Sequence, residues 1–141
     1  MAKTQKSVVI TGVSSGIGLS TARTLLAAGF RVYGSVRKEE DAKRLSAELG
    51  AGFFPLLFDV TDEKAVKTAA ARVRSALNGE TLTALINNAG IAVAGPVVYL
   101  PIADFRKQLD VNLTGTVITT QAFAPLLGVD KGLKGKPGRI I

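Results

Sequence analysis

The stretch Thr11-Gly12-Val13-Ser14-Ser15-Gly16-Ile17-Gly18 has the residue types of an anion site. It stands between a short apolar run, Ser7-Val8-Val9-Ile10, and a helical pattern that puts Ala22, Leu25, Leu26 and Gly29 on one face. That order predicts strand, glycine turn, helix. A helix N-terminus leaves backbone N–H groups unpaired and carries partial positive charge. Glycines let the chain turn sharply and let a pyrophosphate approach the backbone. Ser14 and Ser15 add hydroxyl donors. The spacing is GxxxGxG, not the GxGxxG of the usual dinucleotide fingerprint, and taken alone it also fits a tight turn without a ligand. Three further polar groups follow apolar runs: Arg37-Lys38, Asp59-Val60 and Asn87-Asn88-Ala89-Gly90. The chain has no cysteine, which excludes disulfides and thiolate chemistry, and no histidine, the commonest general base and metal ligand. A metal site would need carboxylates alone, and none cluster in the sequence.

Those groups need a frame, and the rest of the sequence supplies one. Arg31 to Val36 reads as a second strand. Residues 39–49 carry Ala42, Leu45 and Leu49 at helical spacing and are closed by Gly50. Phe53 to Phe58 reads as a third strand, placed near a sheet edge because Pro55 has no N–H for a ladder. Thr61 is positioned to cap a helix whose buried stripe is Val66, Ala69, Ala70, Val73 and Leu77. Thr81 to Ile86 reads as a fourth strand, followed by a glycine- and proline-bearing loop to Pro101. A long helix begins near Asp104, with Phe105, Leu109, Leu113 and Thr116 on one side, and ends around Leu127-Gly128. Gly138-Arg139-Ile140-Ile141 opens a fifth strand. Alternating strands and helices of this length predict a parallel sheet with helices on both faces. Ligands bind such sheets outside the carboxyl ends of the strands, where all four polar groups fall.

Composition narrows the class. At 141 residues, 47% of them hydrophobic and 21% charged, the chain is one globular domain's worth. No apolar run is long enough to cross a bilayer, and Met1 to Lys6 lacks a signal-peptide core, so the expectation is no membrane and a cytoplasmic protein. A net charge of +7 raises nucleic-acid binding. The basic residues are scattered, however, with little aromatic interleaving, and the densest group (Lys131, Lys134, Lys136, Arg139) lies in a glycine-rich loop. The expectation is no nucleic acid.

Taken in order, the motifs resemble the short-chain dehydrogenase/reductase family in its classical type. Thr11-Gly12-x-x-x-Gly16-Ile17-Gly18 matches the family's glycine motif, Asp59-Val60 its third-strand tip, and Asn87-Asn88-Ala89-Gly90 its fourth-strand motif. Asp110-Val111-Asn112 resembles the family's asparagine on the next helix. The resemblance spans nearly all of the chain. It implies a Rossmann-type doubly wound α/β sheet, here an NADP-binding domain over 1–141 that is truncated at the start of the fifth strand.

It also implies roles. Gly12, Ser14, Ser15, Gly16, Ile17 and Gly18 would hold the pyrophosphate, and Asp59 with Val60 the adenine. Asn87, Ala89 and Gly90 would line the crevice near the ribose, with Asn87 also pinning the sheet. The second-strand tip separates NAD(H) from NADP(H). A carboxylate there would bond free ribose hydroxyls and repel a 2′-phosphate. This chain instead has Val36, then Arg37, whose guanidinium can pair two phosphate oxygens, and Lys38, with Ser35 as a further hydroxyl. NADP(H) is therefore expected over NAD(H).

The family's acid/base tyrosine, with a lysine four residues later, has no counterpart, since neither Tyr33 nor Tyr99 begins Tyr-x-x-x-Lys. Its serine would fall beyond Ile141. Asn112, the asparagine that holds a water in the proton relay, is the one matching catalytic position. The expectation is the cofactor part of an oxidoreductase moving hydride between NADP(H) and a small carbonyl or alcohol, inactive and poorly stable alone because its fifth strand would be a raw edge. The alternatives are a non-catalytic NADP-binding module and one half of a split enzyme. Family members form dimers or tetramers through the fourth and fifth helices. The first of these is present, which leaves a homo-oligomer open.

Overall fold

A computed structural model describes residues 5–141. Its elements are β1 Ser7–Ile10, α1 Gly16–Ala27, β2 Arg31–Val36, α2 Glu39–Leu49, β3 Phe53–Leu57 and α3 Glu63–Leu77, followed by β4 Ala84–Ile86, α4 Ile102–Leu109, α5 Gly115–Phe123 and β5 Arg139–Ile140. All strand pairs are parallel, in the order β3-β2-β1-β4-β5.

Successive strand side chains point to opposite faces, so each central strand feeds two cores. Val8 and Ile10 pack with Val32 and Phe53 against Ala22 of α1 and Ala42 and Leu45 of α2. Val9 turns the other way, joining Tyr33 and Leu85 with Val66, Ala70 and Val73 of α3 and Phe123 of α5. Helices thus cover both faces, and the doubly wound parallel sheet expected from the sequence is the fold observed. β3 lies at the edge, where Pro55, opposite Gly34 of β2, forfeits no inner ladder bond. The chain winds outward from β1 through β2 to β3, then returns to β4 on the other side of β1. This reversal is the topological switch point, and it leaves a crevice between the tips of β1 and β4.

Several local expectations are corrected. The fourth strand starts at Ala84 rather than Thr81, because the Thr81 N–H bonds to Lys134 in the chain's last loop and the Leu82 N–H to Leu126 in the helical turn before it, not to a neighbouring strand. Strand β3 closes at Leu57 rather than Phe58. Gly29 is not on the buried face of α1. It lies beyond the helix end at φ 83°, with its N–H on the Leu26 carbonyl. Asp62, not Thr61, caps α3 by accepting from the Ala65 N–H at 3.0 Å. Thr61 is occupied elsewhere, donating to Asp59 through both its N–H and its hydroxyl.

The long helix after the loop is divided into four successive stretches. A π turn over Asp110–Thr114 separates α4 from α5, and a 3₁₀ turn follows over Ala124–Leu127. Of the predicted stripe, Phe105, Leu109 and Leu113 are exposed and Thr116 is half-buried; the buried side of this segment is Gly115, Thr119 and Phe123. Gly115 explains the choice of face. A Cβ there would overlap Val60 Cγ2 at 2.6 Å, so only glycine lets the helix come this close to the end of β3.

Candidate functional site

The turn after β1 is held from both sides. Thr11 continues the ladder by donating its N–H to the Ile86 carbonyl at 3.0 Å. Gly12 then takes φ 72°, and a Cβ on it would sit 2.9 Å from Ala89 Cα. Gly18, buried in the first turn of α1, is equally constrained, because a Cβ there would strike the Gly12 carbonyl oxygen and Asn88 Nδ2. Ser15 stands at the N-cap of α1, yet its side chain caps nothing, and no acidic residue occupies the first turn. Within the described residues, the N–H groups of Ser14 to Gly18 make no backbone hydrogen bond. An uncapped helix start with a run of free donors is suited to an anion.

The tip of β4 is fastened to this turn. The Thr11 hydroxyl oxygen accepts from the N–H groups of Asn88 at 3.0 Å and Ala89 at 2.9 Å. The Asn88 amide donates in return to the carbonyls of Thr11 and Gly12, at 3.0 and 2.8 Å. Asn87 faces away, with its Oδ1 accepting from the Thr119 hydroxyl at 2.7 Å. Asn88 therefore ties β4 to β1, while Asn87 bonds across the sheet through its N–H to the Ile141 carbonyl at 2.7 Å and ties the strand tip to α5 through its side chain. Sequence alternation across a strand end accounts for the opposite directions of the two side chains.

Asn112 lies in the π turn, and both ends of its amide are committed to Ile91. Its Oδ1 accepts from the Ile91 N–H at 2.9 Å and its Nδ2 donates to the Ile91 carbonyl at 2.8 Å. It fixes the start of the loop that leaves the crevice. Insertions of this kind into helices occur often at functional sites.

Beyond the glycine turn, the tips of β2 and β3 complete one wall. Asp59 Oδ1 accepts both Thr61 donors, at 2.9 Å from N–H and 2.7 Å from the hydroxyl. Partial burial pushes the Asp59 carboxyl up. The Thr61 bonds and then the charges of Arg37 and Lys107 outweigh it, so the group is held below its ordinary value and is ionised at neutral pH. Arg37 is exposed at the end of β2.

These tips enclose a cavity of about 340 Å³. Of the positions expected from sequence, Gly12, Ser14, Ser15, Ile17, Gly18, Arg37, Asp59, Val60, Ala89 and Gly90 line it. Gly16, Lys38, Asn87 and Asn112 do not: Gly16 supplies the positive φ of 59° that starts α1, and Lys38 is the exposed residue preceding α2. Sequence reasoning missed Phe58 and Val111 as lining residues, gave Asn88 no site role, and treated Ser35 and Val36 only as neighbours of Arg37; Ile91, the first residue of the loop to Pro101, also lines the cavity. Phe58 and Val36 adjoin known motif positions and were within reach. Val111 lies within the motif Asp110-Val111-Asn112, in the π turn distant in sequence from the strand tips, and only the asparagine of that motif was given a role. Within the described residues there is no group of side chains able to hold a metal ion and no helix long and apolar enough to cross a membrane.

A parallel sheet wound in both directions, with a glycine turn at its switch point and polar groups on four strand tips, defines an α/β protein of Rossmann type with its ligand crevice at the carboxyl edge. The model of the short chain dehydrogenase family matches residues 6–141, and the chain belongs to that family. It is 42% identical over 133 residues to the NADPH-dependent 3-dehydrocapnine reductase of Ornithobacterium rhinotracheale, covering 94% of this chain and 47% of that protein. It is 37% identical over 128 residues to a serine 3-dehydrogenase of Rhizobium radiobacter, covering 90% and 51%. The solved structure of NADPH bound carbonyl reductase from chicken fatty liver aligns with a TM-score of 0.83 at 31% identity, covering 96% of this chain and 55% of that one. The chain spans about half the length of the curated relatives it matches.

Proposed function

We propose that the crevice binds a nicotinamide dinucleotide, NADP(H) in preference to NAD(H), as the cofactor part of an oxidoreductase acting on a carbonyl or alcohol. The observation that carries this reading is a single cavity joining the free N–H groups of the α1 start to Arg37, with no carboxylate at the β2 tip between them. Glu39, Glu40 and Asp41 follow closely in α2, but none lines the cavity. The residues fit the cofactor. Gly12 and Gly18 leave room where a Cβ would fill the cradle, the donors from Ser14 to Gly18 suit its diphosphate, and the ionised Asp59 keeps Oδ2 available to accept from an adenine amino group. Arg37 would pair the 2′-phosphate, with Lys38 adding charge. The reductase names among the relatives support the same preference.

Bound there, the nicotinamide supplies or takes the hydride. This chain's residues hold and orient it: Ala89 and Gly90 present the β4 tip, and Asn112 holds Ile91 where the loop departs. Proton transfer needs another group. Tyr33 is buried inside β2 and Tyr99 is exposed on a loop, so the reading assigns the acid/base to residues outside 1–141.

The test is Arg37→Ala in the full-length protein, with NADPH and NADH affinities measured by fluorescence titration. A charge-assisted bond to phosphate predicts that NADPH weakens by about tenfold to a hundredfold while NADH changes less than about twofold. Equal losses for both cofactors, or no loss, would overturn the NADP preference. A full-length protein that binds neither would overturn the whole reading.

A further inference from the structure

Gly12 opens the glycine turn, but its N–H is not available to a ligand. It donates to the Ser35 hydroxyl oxygen at 2.9 Å. The next N–H, of Val13, donates to the Ser35 carbonyl at 3.0 Å. Two consecutive donors of the turn are therefore held by one residue of the neighbouring strand. The free donors begin immediately afterwards, at Ser14. Ser35 is 3% exposed, and its hydroxyl hydrogen is committed to no acceptor among the described residues. Two residues further on stands Arg37.

We propose that Ser35 is the positioning residue of the anion turn: its side chain and backbone together fix where the free N–H run begins and aim it into the cavity. The inference rests on the cofactor reading above and extends it to a residue that need not touch the cofactor's phosphates. Without the Oγ acceptor, the Gly12 N–H loses its partner. The Val13 N–H bond to the Ser35 carbonyl and the Asn88 amide bond to the Gly12 carbonyl remain, but nothing in β2 then ties Gly12 itself, the residue at φ 72°, and the donors that follow are held less firmly. Preorganised donors bind an anion more tightly than the same donors on a mobile turn. The 2′-phosphate end of the crevice rests on Arg37 and does not depend on this bond.

The two ends can be read separately in the full-length protein with two probes, NADPH and adenosine 2′-phosphate, which lacks the diphosphate. Ser35→Ala is expected to raise the NADPH dissociation constant about tenfold and to leave that of adenosine 2′-phosphate within about twofold. Ser35→Thr, which restores the acceptor in a residue favoured in strands, is expected to recover NADPH binding to within about threefold of the wild type. An unchanged NADPH affinity in Ser35→Ala, equal losses for both probes, or failure of threonine to rescue would overturn the proposal. Amide exchange in the unsubstituted protein tests it without a variant. The Gly12 and Val13 amides should be protected while Ser14 to Gly18 exchange quickly, and rapid exchange at Gly12 would refute the clamp. A wild type that binds neither probe would instead refute the cofactor reading.

Discussion

Thr11→Val tests whether the β1 and β4 tips are locked by the network described or simply lie side by side. Valine keeps the shape of a side chain that is 1% exposed and removes only the hydroxyl. Two N–H groups lose their acceptor, unequally. Asn88 N–H retains the Ile86 carbonyl at 3.1 Å, whereas Ala89 N–H has no second partner among the described residues. A buried donor left unsatisfied costs about 1–3 kcal/mol, and half-burial of both residues places each at the low end. With the partial loss at Asn88 added, the expected destabilisation is about 2 kcal/mol. Urea denaturation of the full-length protein measures it, with Thr11→Ser as the control that keeps the hydroxyl and gives up one methyl, at about 1 kcal/mol or less. If valine costs under about 0.5 kcal/mol, or serine costs as much as valine, the hydroxyl is not the lock and the reasoning fails.

Two further substitutions probe neighbouring parts of the crevice. Gly18→Ala forces a Cβ into the Gly12 carbonyl and the Asn88 amide, so NADPH binding should fall more than about tenfold; an alanine variant with ordinary affinity would show the cradle to be looser than described. Thr61→Val removes a hydroxyl bond that holds Asp59 ionised, and the Asp59 carboxyl, followed by NMR, should titrate at higher pH than in the unsubstituted protein. The sign follows from linkage. A carboxyl held low in the folded state stabilises fully above its unfolded value, about 3.9, and that contribution disappears as pH falls through the folded value. Valine should shrink the contribution and leave Asp59 titrating closer to that value; an unmoved titration would assign the shift to the Thr61 N–H bond, which valine keeps, and to Arg37 and Lys107.

What the sequence made legible is what local chemistry dictates. Pro55 put β3 at an edge because a missing N–H is a property of one residue. The stripe Val66, Ala69, Ala70, Val73 and Leu77 was recovered in full because α3 presents one face to one sheet. The glycine turn was legible because sharp reversal and close backbone approach both require glycine at fixed positions. Periodicity misled in the segment after Pro101. It reveals an apolar stripe but not which side meets the sheet, and the sheet-facing side here is chosen by the small Gly115 and the hydroxyl of Thr119. The capping error at Thr61 has a similar origin. Threonine and aspartate both cap helices, and only the position of Asp59 decides that Thr61 bonds backward and leaves the cap to Asp62.

The hardest residue to find was Ser35, and strand register shows why. In the sequence it stands out only as a further hydroxyl beside Arg37, and nothing there points to the glycine turn. The parallel pairing aligns Ile10 with Gly34, so Ser35 comes level with the first residue after β1, where the chain begins to turn. A hydroxyl at that level meets Gly12, and one placed a residue earlier would meet a ladder already complete. Moving the serine along β2 should therefore not preserve its effect: in a Ser35→Ala background, Gly34→Ser should fail to restore NADPH affinity, and it should also disturb the core, since a Cβ at position 34 would overlap Val13 Cγ2 at 2.6 Å. The information that marks Ser35 thus lies in the register between two strands, and it becomes readable only when the sheet is assembled.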